Sequence, residues 1–208
     1  MASTDVFVNC PFDADYEPLF EALVFAIAAA GYTARCALED NDAASIRFDK
    51  LKRLIKASPR TIHDLSRTEV GADDMPRFNM PFELGLAMGL KYFGGRTANK
   101  NSALIMVKKS YTLPVYLSDL AGADPRAHDG DPARVIGLVA HYLRTTPDGK
   151  MLPGGRYYAD LFKTFKARLP DMARKANRTP EEVAPFHDYR AFATMVAEFL
   201  KIAVPKVV

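Results

Sequence analysis

The sequence contains no tryptophan and only two cysteines, Cys10 and Cys36. A single cross-link is too little to hold a chain of 208 residues in a disulfide framework, and the spacing of the two thiols matches no zinc motif. No apolar run approaches the ~20 residues that a membrane-spanning helix needs. The N-terminus lacks the basic and apolar regions of a signal peptide. We therefore expect two buried thiols in a reducing, cytoplasmic protein.

An excess of charge of one sign is also missing, as are the common phosphate-binding motifs. The formal net charge is +3, and acidic and basic residues are mixed along most of the chain. This argues against a nucleic-acid partner, which needs a clustered basic face. The absence of G-x-G-x-x-G and G-x-x-x-x-G-K-[ST] argues against dehydrogenases and P-loop enzymes. Without a G-x-S-x-G elbow, a Ser–His–Asp hydrolase is unsupported.

Short apolar runs alternate with amphipathic segments over the first two thirds of the chain. The predicted strands are residues 6–10, 33–38, 60–65 and 101–107, and the predicted helices are residues 17–30, 44–57 and the segment after Pro81. This order predicts an α/β protein whose parallel sheet has helices on both faces. In such sheets ligands bind at the carboxyl ends of the strands.

The pattern changes after the fourth predicted strand. A brief strand is expected near residues 125–128 and a helix at 131–143, and then residues 145–155, rich in Pro and Gly, form the one credible boundary. We predict an α/β domain over residues 1–146 and a helical C-terminal extension over residues 156–208. Its helices are predicted at residues 156–169, 172–176 and 189–203. Its basic residues from Lys163 to Arg178 fit a solvated face better than a binding face, because Phe162 and Phe165 have spacing suited to packing.

One carboxylate, Glu83, stands in an otherwise apolar helical stretch. Pro81 suits a first helical turn, so Glu83 is expected in that turn, with Asn79 four residues before it and directed into the same space. Gly85 and Gly89 are expected to form a smooth groove for close packing. Such a carboxylate is either a surface acid stabilised by the helix dipole or a catalytic group, and the spacing leaves both readings open.

Together these features resemble a known superfamily. Over about residues 5–144 the chain resembles Toll/interleukin-1 receptor (TIR)-like and nucleoside 2-deoxyribosyltransferase-like proteins. The resemblance is carried by the acidic loop after the second strand, by Asp64 and Ser66 after the third strand, and by the motif E-L-G-L-A from Glu83 to Ala87. The resemblance implies a flavodoxin-like sheet and a glutamate, Glu83, that cleaves the nicotinamide–ribose bond of NAD. NAD would be the substrate, with no cofactor. It also implies a homo-oligomer with a role in bacterial defence.

Two other functions stay open: a non-catalytic module that senses a nucleotide or scaffolds an assembly, and a nucleoside deoxyribosyltransferase. For cleavage, an unprotonated carboxylate suits the oxocarbenium-like centre formed as an N-glycosidic bond breaks. Asp64 and Ser66 are candidates to contact ribose, and an arginine to bind phosphate. The expected substrate-binding residues are Asn9, Asp13, Tyr16, Asp64, Ser66, Arg67, Arg77 and Asn79.

Each of these candidates also has a structural alternative. Asp13 and Ser66 suit turns or helix caps, and the arginines suit surface ion pairs. His63 is more typical of a packed or hydrogen-bonded histidine than of a base. His128 with Asp129 and Asp131 fits a turn and a helix cap better than a metal site, and no metal is expected.

Overall fold

A parallel β-sheet organises the first half of the chain. The structure is a computed structural model that describes residues 3–40, 44, 46–67, 78–111 and 115–204. Within these residues the strands are β1 (Asp5–Asn9), β2 (Thr33–Arg35), β3 (Arg60–Asp64), β4 (Ser102–Val107) and β5 (Arg126–Ala127), all paired in parallel in the order β2-β1-β3-β4-β5. This confirms the predicted α/β class and the flavodoxin-like sheet.

Six α-helices accompany the sheet in the described residues. They are α1 (Glu17–Ala29), α2 (Arg47–Ala57), α3 (Asn79–Phe93), α4 (Pro132–Leu143), α5 (Gly155–Lys175) and α6 (Tyr189–Ala203). The strand order reverses beside β1, because β2 pairs with one edge of β1 and β3 with the other. This switch point between β1 and β3 is where sheets of this topology bind ligands.

The chain divides into two compact units. The first comprises Met1–Pro11 and Thr33–Gly130, and holds the sheet with α2 and α3. The second comprises Phe12–Tyr32 and Asp131–Val208, and holds α1 with α4, α5 and α6. The division of the chain therefore differs from the boundary expected between residues 146 and 156, because α1 groups with the C-terminal helices. Whether residues 1–146 fold independently of residues 156–208 stays a prediction.

In the first unit, α2 and α3 pack on the sheet through two apolar clusters. One cluster comprises Phe7, Leu51, Leu54, Ile55 and Ala87, and the other comprises Leu65, Met80, Leu84 and Val107. Leu51, Leu54 and Ile55 form the buried side of α2, whereas Ile46, which precedes the first helical residue, is 67% exposed.

No described residue of the same chain fills the groove predicted at Gly85 and Gly89 of α3. A Cβ built on either glycine meets no described atom within 4 Å. The reason is the orientation of α3. Its buried residues include Met80, Leu84 and Ala87, and the two glycines lie on the opposite side of the helix.

In the second unit, α1 is buried around its whole circumference. Every residue from Leu19 to Ile27 is buried. The Phe25 ring lies 5.2 Å from the Phe162 ring and 5.4 Å from the Phe165 ring, measured between centroids. The one carboxylate in this stretch, Glu21, accepts a hydrogen bond from Lys166 Nζ at 2.7 Å. The predicted packing role of Phe162 and Phe165 is therefore confirmed.

The prediction of two helices at residues 156–169 and 172–176 is wrong, because α5 runs without a break through Pro170. Leu169 and Ala173, on either side of the proline, are both buried, so packing holds the helix together where a proline would otherwise end it. Although α5 has 21 residues, neither it nor any other helix in the described ranges is long and apolar enough to cross a membrane.

Candidate functional site

The candidate site of the first unit lies at the switch point of the sheet. Asn9 is the last residue of β1 and is paired in register with His63 of β3. The Asn9 side chain donates from Nδ2 to Met80 O at 2.9 Å and to His63 Nδ1 at 3.0 Å. One buried amide therefore ties the carboxyl ends of two strands to the first turn of α3.

His63 is a neutral histidine held within the fold. It is completely buried, and burial lowers its pKa to about 3. Its Nδ1 accepts from Asn9, so its proton lies on Nε2, and Nε2 has no hydrogen-bond partner among the described residues. This agrees with the structural alternative, and His63 does not titrate near neutral pH.

Glu83 is a buried carboxylate of this unit with a perturbed pKa. Because α3 begins at Asn79, Glu83 is its fifth residue and not in its first turn as predicted. The helix dipole acts mainly within the first turn, so it contributes little here. Glu83 is only 5% exposed, which also rules out the predicted alternative of a surface acid. Burial raises its pKa to about 7, while the charge of Arg47, at the start of α2, acts to lower it.

A second polar cluster joins the ends of β3 and β5. Asp64 and His128 are both buried, and the Asp64 Oδ2–His128 Nε2 distance is 3.1 Å. His128 Nε2 also lies 2.8 Å from Ser66 Oγ, and the Ser66 backbone N–H donates to Asp64 Oδ1 at 2.8 Å. Both carboxylate oxygens of Asp64 are therefore already engaged.

The orientation of the His128 ring decides what this cluster does chemically. Gly130 N donates to His128 Nδ1 at 3.0 Å, so Nδ1 is an acceptor and the ring proton lies on Nε2. An Nε2–H that points to Ser66 and Asp64 has no lone pair to take the proton of a serine hydroxyl. Ser66, His128 and Asp64 therefore form a structural link and not a catalytic triad.

The other predicted substrate-binding residues are dispersed. Asp13 and Tyr16 belong to the second unit, where Tyr16 N donates to Asp13 Oδ1 at 3.2 Å in the turn before α1. Arg67 is exposed in the turn that follows β3, and Asn79 is the exposed first residue of α3. Arg77 lies outside the described residues. The site roles proposed for all these residues stay predictions.

Sequence reasoning missed the partners of two site residues. The brief strand predicted near residues 125–128 is present as β5, but its parallel pairing with β4, which brings His128 to the edge where β3 ends, was not predicted. No sequence pattern marked Arg47 as a partner of Glu83, because α2 was expected to begin three residues before Arg47. The cap prediction is confirmed, since Asp131 accepts from Ala133 N at the start of α4. No cluster of three or more potential metal ligands occurs among the described residues.

A cavity of about 410 Å³ lies between the residues at and after the carboxyl end of β4 and the residues that precede β5. The described residues that line it are Val107, Ser110, Tyr111, Ala121, Ala123, Asp124 and Pro125. None of the predicted site residues is among them. Its volume suits a small ligand, so this edge of the sheet offers a concave surface separate from Glu83.

Comparison of the chain with family models, with curated proteins and with solved structures gave no match. The functional assignment therefore depends on the chemistry of the residues described above and on the resemblance of the sequence motif.

Proposed function

We propose that this protein is an N-glycosidase that cleaves the nicotinamide–ribose bond of NAD, or of a related nucleotide, with Glu83 as the central carboxylate. The observation that carries the proposal is the environment of Glu83. Glu83 is buried beside the switch point of a flavodoxin-like sheet, and its pKa is about 7. Enzymes use carboxyl groups of this kind in catalysis, whereas the stability of a fold does not require one.

The raised pKa suits the proposed chemistry. Desolvation makes the ionised carboxylate a stronger base and nucleophile than an exposed glutamate. Bond cleavage leaves positive charge on the anomeric carbon as nicotinamide departs with the bonding electrons. Ionised Glu83 stabilises or attacks that carbon, and water then supplies the new hydroxyl of ADP-ribose and releases a proton to solvent.

The substrate itself favours the active protonation state. The nicotinamide ring of NAD carries a positive charge, and a cation brought close to a buried carboxyl group lowers its pKa. Binding therefore shifts Glu83, about half ionised at pH 7 in the free protein, towards the carboxylate. The two charges also attract each other in a site from which water is excluded.

The direct test measures NAD loss, with separation of nicotinamide and ADP-ribose, at high protein concentration. Wild type is expected to release nicotinamide, and Glu83→Gln is expected to be slower by at least about 10²-fold, the typical loss when one group that stabilises charge in the transition state is removed. Glu198→Gln, which changes a carboxylate 54% exposed on α6, is the matched control and should retain the wild-type rate.

No nicotinamide release by wild type would exclude NAD as the substrate. Deoxynucleosides with a second nucleobase as acceptor are then the next substrates to test, since nucleoside deoxyribosyl transfer uses the same type of carboxylate. A rate equal in wild type and Glu83→Gln would remove Glu83 from the mechanism, whatever the substrate.

The cavity between the residues after β4 and those before β5 favours a second function, a non-catalytic module that senses a nucleotide. It is a concave site that Glu83 does not line. This function predicts that NAD binds without turnover, with equal affinity in wild type and Glu83→Gln. Ala123→Phe, which fills the cavity, should then weaken binding measured by calorimetry. Unchanged binding in Ala123→Phe would exclude the cavity as the sensor site.

A further inference from the structure

The solvent side of α3 is apolar and has no described neighbour at its centre. Phe82 and Tyr92 are 54% and 62% exposed, and Gly85 and Gly89 lie between them. The Phe82 ring lies 6.0 Å from the Phe48 ring of α2, and Lys91 Nζ lies 5.7 Å from the Tyr92 ring, measured to the ring centroids, so each ring keeps one flank against its own chain. The four residues are three or four positions apart and so share one face of the helix. No described atom lies within 4 Å of a Cβ built on either glycine.

This face is also almost without charge. Among the 15 residues of α3 the only charged side chains are Glu83, which is buried, and Lys91. The neighbouring helix α2 carries six charged residues in 11 positions. A helix that faces water normally carries charge on that side. An uncharged face with several exposed aromatic rings is typical of an interaction surface.

The order of residues on the face identifies its partner. The four positions read aromatic, glycine, glycine, aromatic, with spacings of three, four and three, so they are symmetric about residue 87. When two copies of such a helix pair antiparallel about a two-fold axis at residue 87, each residue meets its counterpart of the same type. Another protein would have to supply this order independently, whereas a second copy has it already.

We propose that two copies of this chain associate through α3, antiparallel, with the two-fold axis near residue 87. Gly85 of each copy faces Gly89 of the partner subunit, which lets the two backbones approach closely. Phe82 of each copy packs against the partner's Tyr92, so four aromatic rings close the two ends of the contact. This interface does not depend on the proposed enzymatic function.

The first test is the mass of the protein in solution, measured by sedimentation or light scattering. Wild type is expected at twice the chain mass of 23.0 kDa. Gly85→Glu should sediment as a single chain, because it buries charge in the interface yet has open space in the isolated chain. Ile202→Glu, at a side chain 76% exposed on α6, is the control and should stay dimeric. Circular dichroism checks that both variants are folded.

The second test fixes the direction of pairing. Gly85→Cys and Gly89→Cys are made separately, and oxidation should cross-link a mixture of the two far more efficiently than either alone. Cys10 and Cys36 are buried and do not interfere. A wild type that is monomeric at every concentration would overturn the proposal. So would a dimer that Gly85→Glu leaves intact, or one in which Gly85→Cys links to itself as well as to Gly89→Cys.

Discussion

Glu83 lowers the stability of the fold at neutral and alkaline pH. Its folded pKa of about 7 lies above the unfolded value near 4.5, so the folded state binds the proton more tightly. The stability contributed by the protonated form is complete below pH 4.5 and is lost as the pH rises through 7. At pH 8 ionisation of this group costs about 3 kcal/mol.

Glu83→Gln should therefore raise the free energy of unfolding by up to about 3 kcal/mol at pH 8 and hardly at all at pH 4.5. Urea unfolding at the two pH values measures the difference. Glu198→Gln on the surface of α6 should show no such pH dependence. An equal effect of Glu83→Gln at both pH values would mean that the Glu83 pKa is not raised.

The same titration sets the pH dependence of the proposed reaction. If Glu83 acts as the ionised carboxylate, kcat/KM for NAD should be constant above pH 7 and fall tenfold for each pH unit below it, because only the deprotonated fraction reacts. Initial rates between pH 5 and pH 9, at low NAD concentration, measure this profile. Activity that instead falls above pH 7 would assign Glu83 as a proton donor.

At the residue scale, the sequence predicts which side chains are candidates for a site better than it predicts the residues that those side chains contact. Glu83 is recognisable because it is the one carboxylate in an apolar stretch. Its burial was not predictable, because it depends on how α3 packs in the fold and on the nearby Arg47 of α2, which no local pattern specifies. The contact of His128 with Asp64 depends on strand register, which no local pattern encodes.

Two glycines at the crossing of α4 and α5 have opposite roles. A Cβ on Gly155 would lie 2.6 Å from the Gly137 Cα, whereas a Cβ on Gly137 meets no described atom within 4 Å. Gly155→Ala should therefore destabilise the protein by about 1–3 kcal/mol through overpacking. Gly137→Ala, in a helix interior, should stabilise it by roughly 0.5–1 kcal/mol. Thermal unfolding of the pair compares them, and a fall in Tm with Gly137→Ala would contradict this geometry.

At the element scale, apolar runs and helical spacing predicted the strands and most of the helices. The failures occur where packing overrides local preference. Pro170 lies inside α5 because buried Leu169 and Ala173 hold both sides of it, and the groove of Gly85 and Gly89 lies on the outer side of α3 with no described residue of its own chain in it. Neither outcome follows from the residues within one turn of those positions.

The pair of Glu21 in α1 and Lys166 in α5 joins distant parts of the second unit. Burial raises the pKa of Glu21, and the hydrogen bond and charge of Lys166 act in the opposite direction. Lys166→Gln leaves this buried carboxylate without its counter-charge, and should cost about 1–3 kcal/mol at pH 8. The loss should be smaller at pH 4, where the carboxyl group is protonated.

Lys163→Gln, one turn earlier on α5, is the matched control. Its partner Asp160 is exposed and the Nζ–Oδ1 distance is 3.4 Å, so its loss should change stability by less than about 1 kcal/mol. Glu21→Gln combined with Lys166→Gln should recover most of the loss. Chemical denaturation of the three variants and wild type measures the free energy of unfolding of each. Equal losses for Lys163→Gln and Lys166→Gln would show that the Glu21–Lys166 pair stabilises the protein no more than an exposed ion pair does.

At the scale of the whole molecule, the alternation of strands and helices predicted the sheet but not the grouping of α1. The sequence indicated a helical extension attached to a complete α/β domain. The apolar residues of α1 do follow helical spacing, yet nothing in that spacing says that the entire circumference is buried, or that α4, α5 and α6 bury it. Long-range packing of this kind lies outside any local pattern.

The grouping of α1 with the C-terminal helices has a consequence for protein synthesis. A ribosome makes residues 17–29 well before residues 189–203, and at typical elongation rates the interval is on the order of ten seconds. Throughout that time the nascent chain holds Phe20 and Phe25 without the rings that later enclose them. Chaperone binding should therefore concentrate on α1, and release from it should follow only when α6 has left the ribosome.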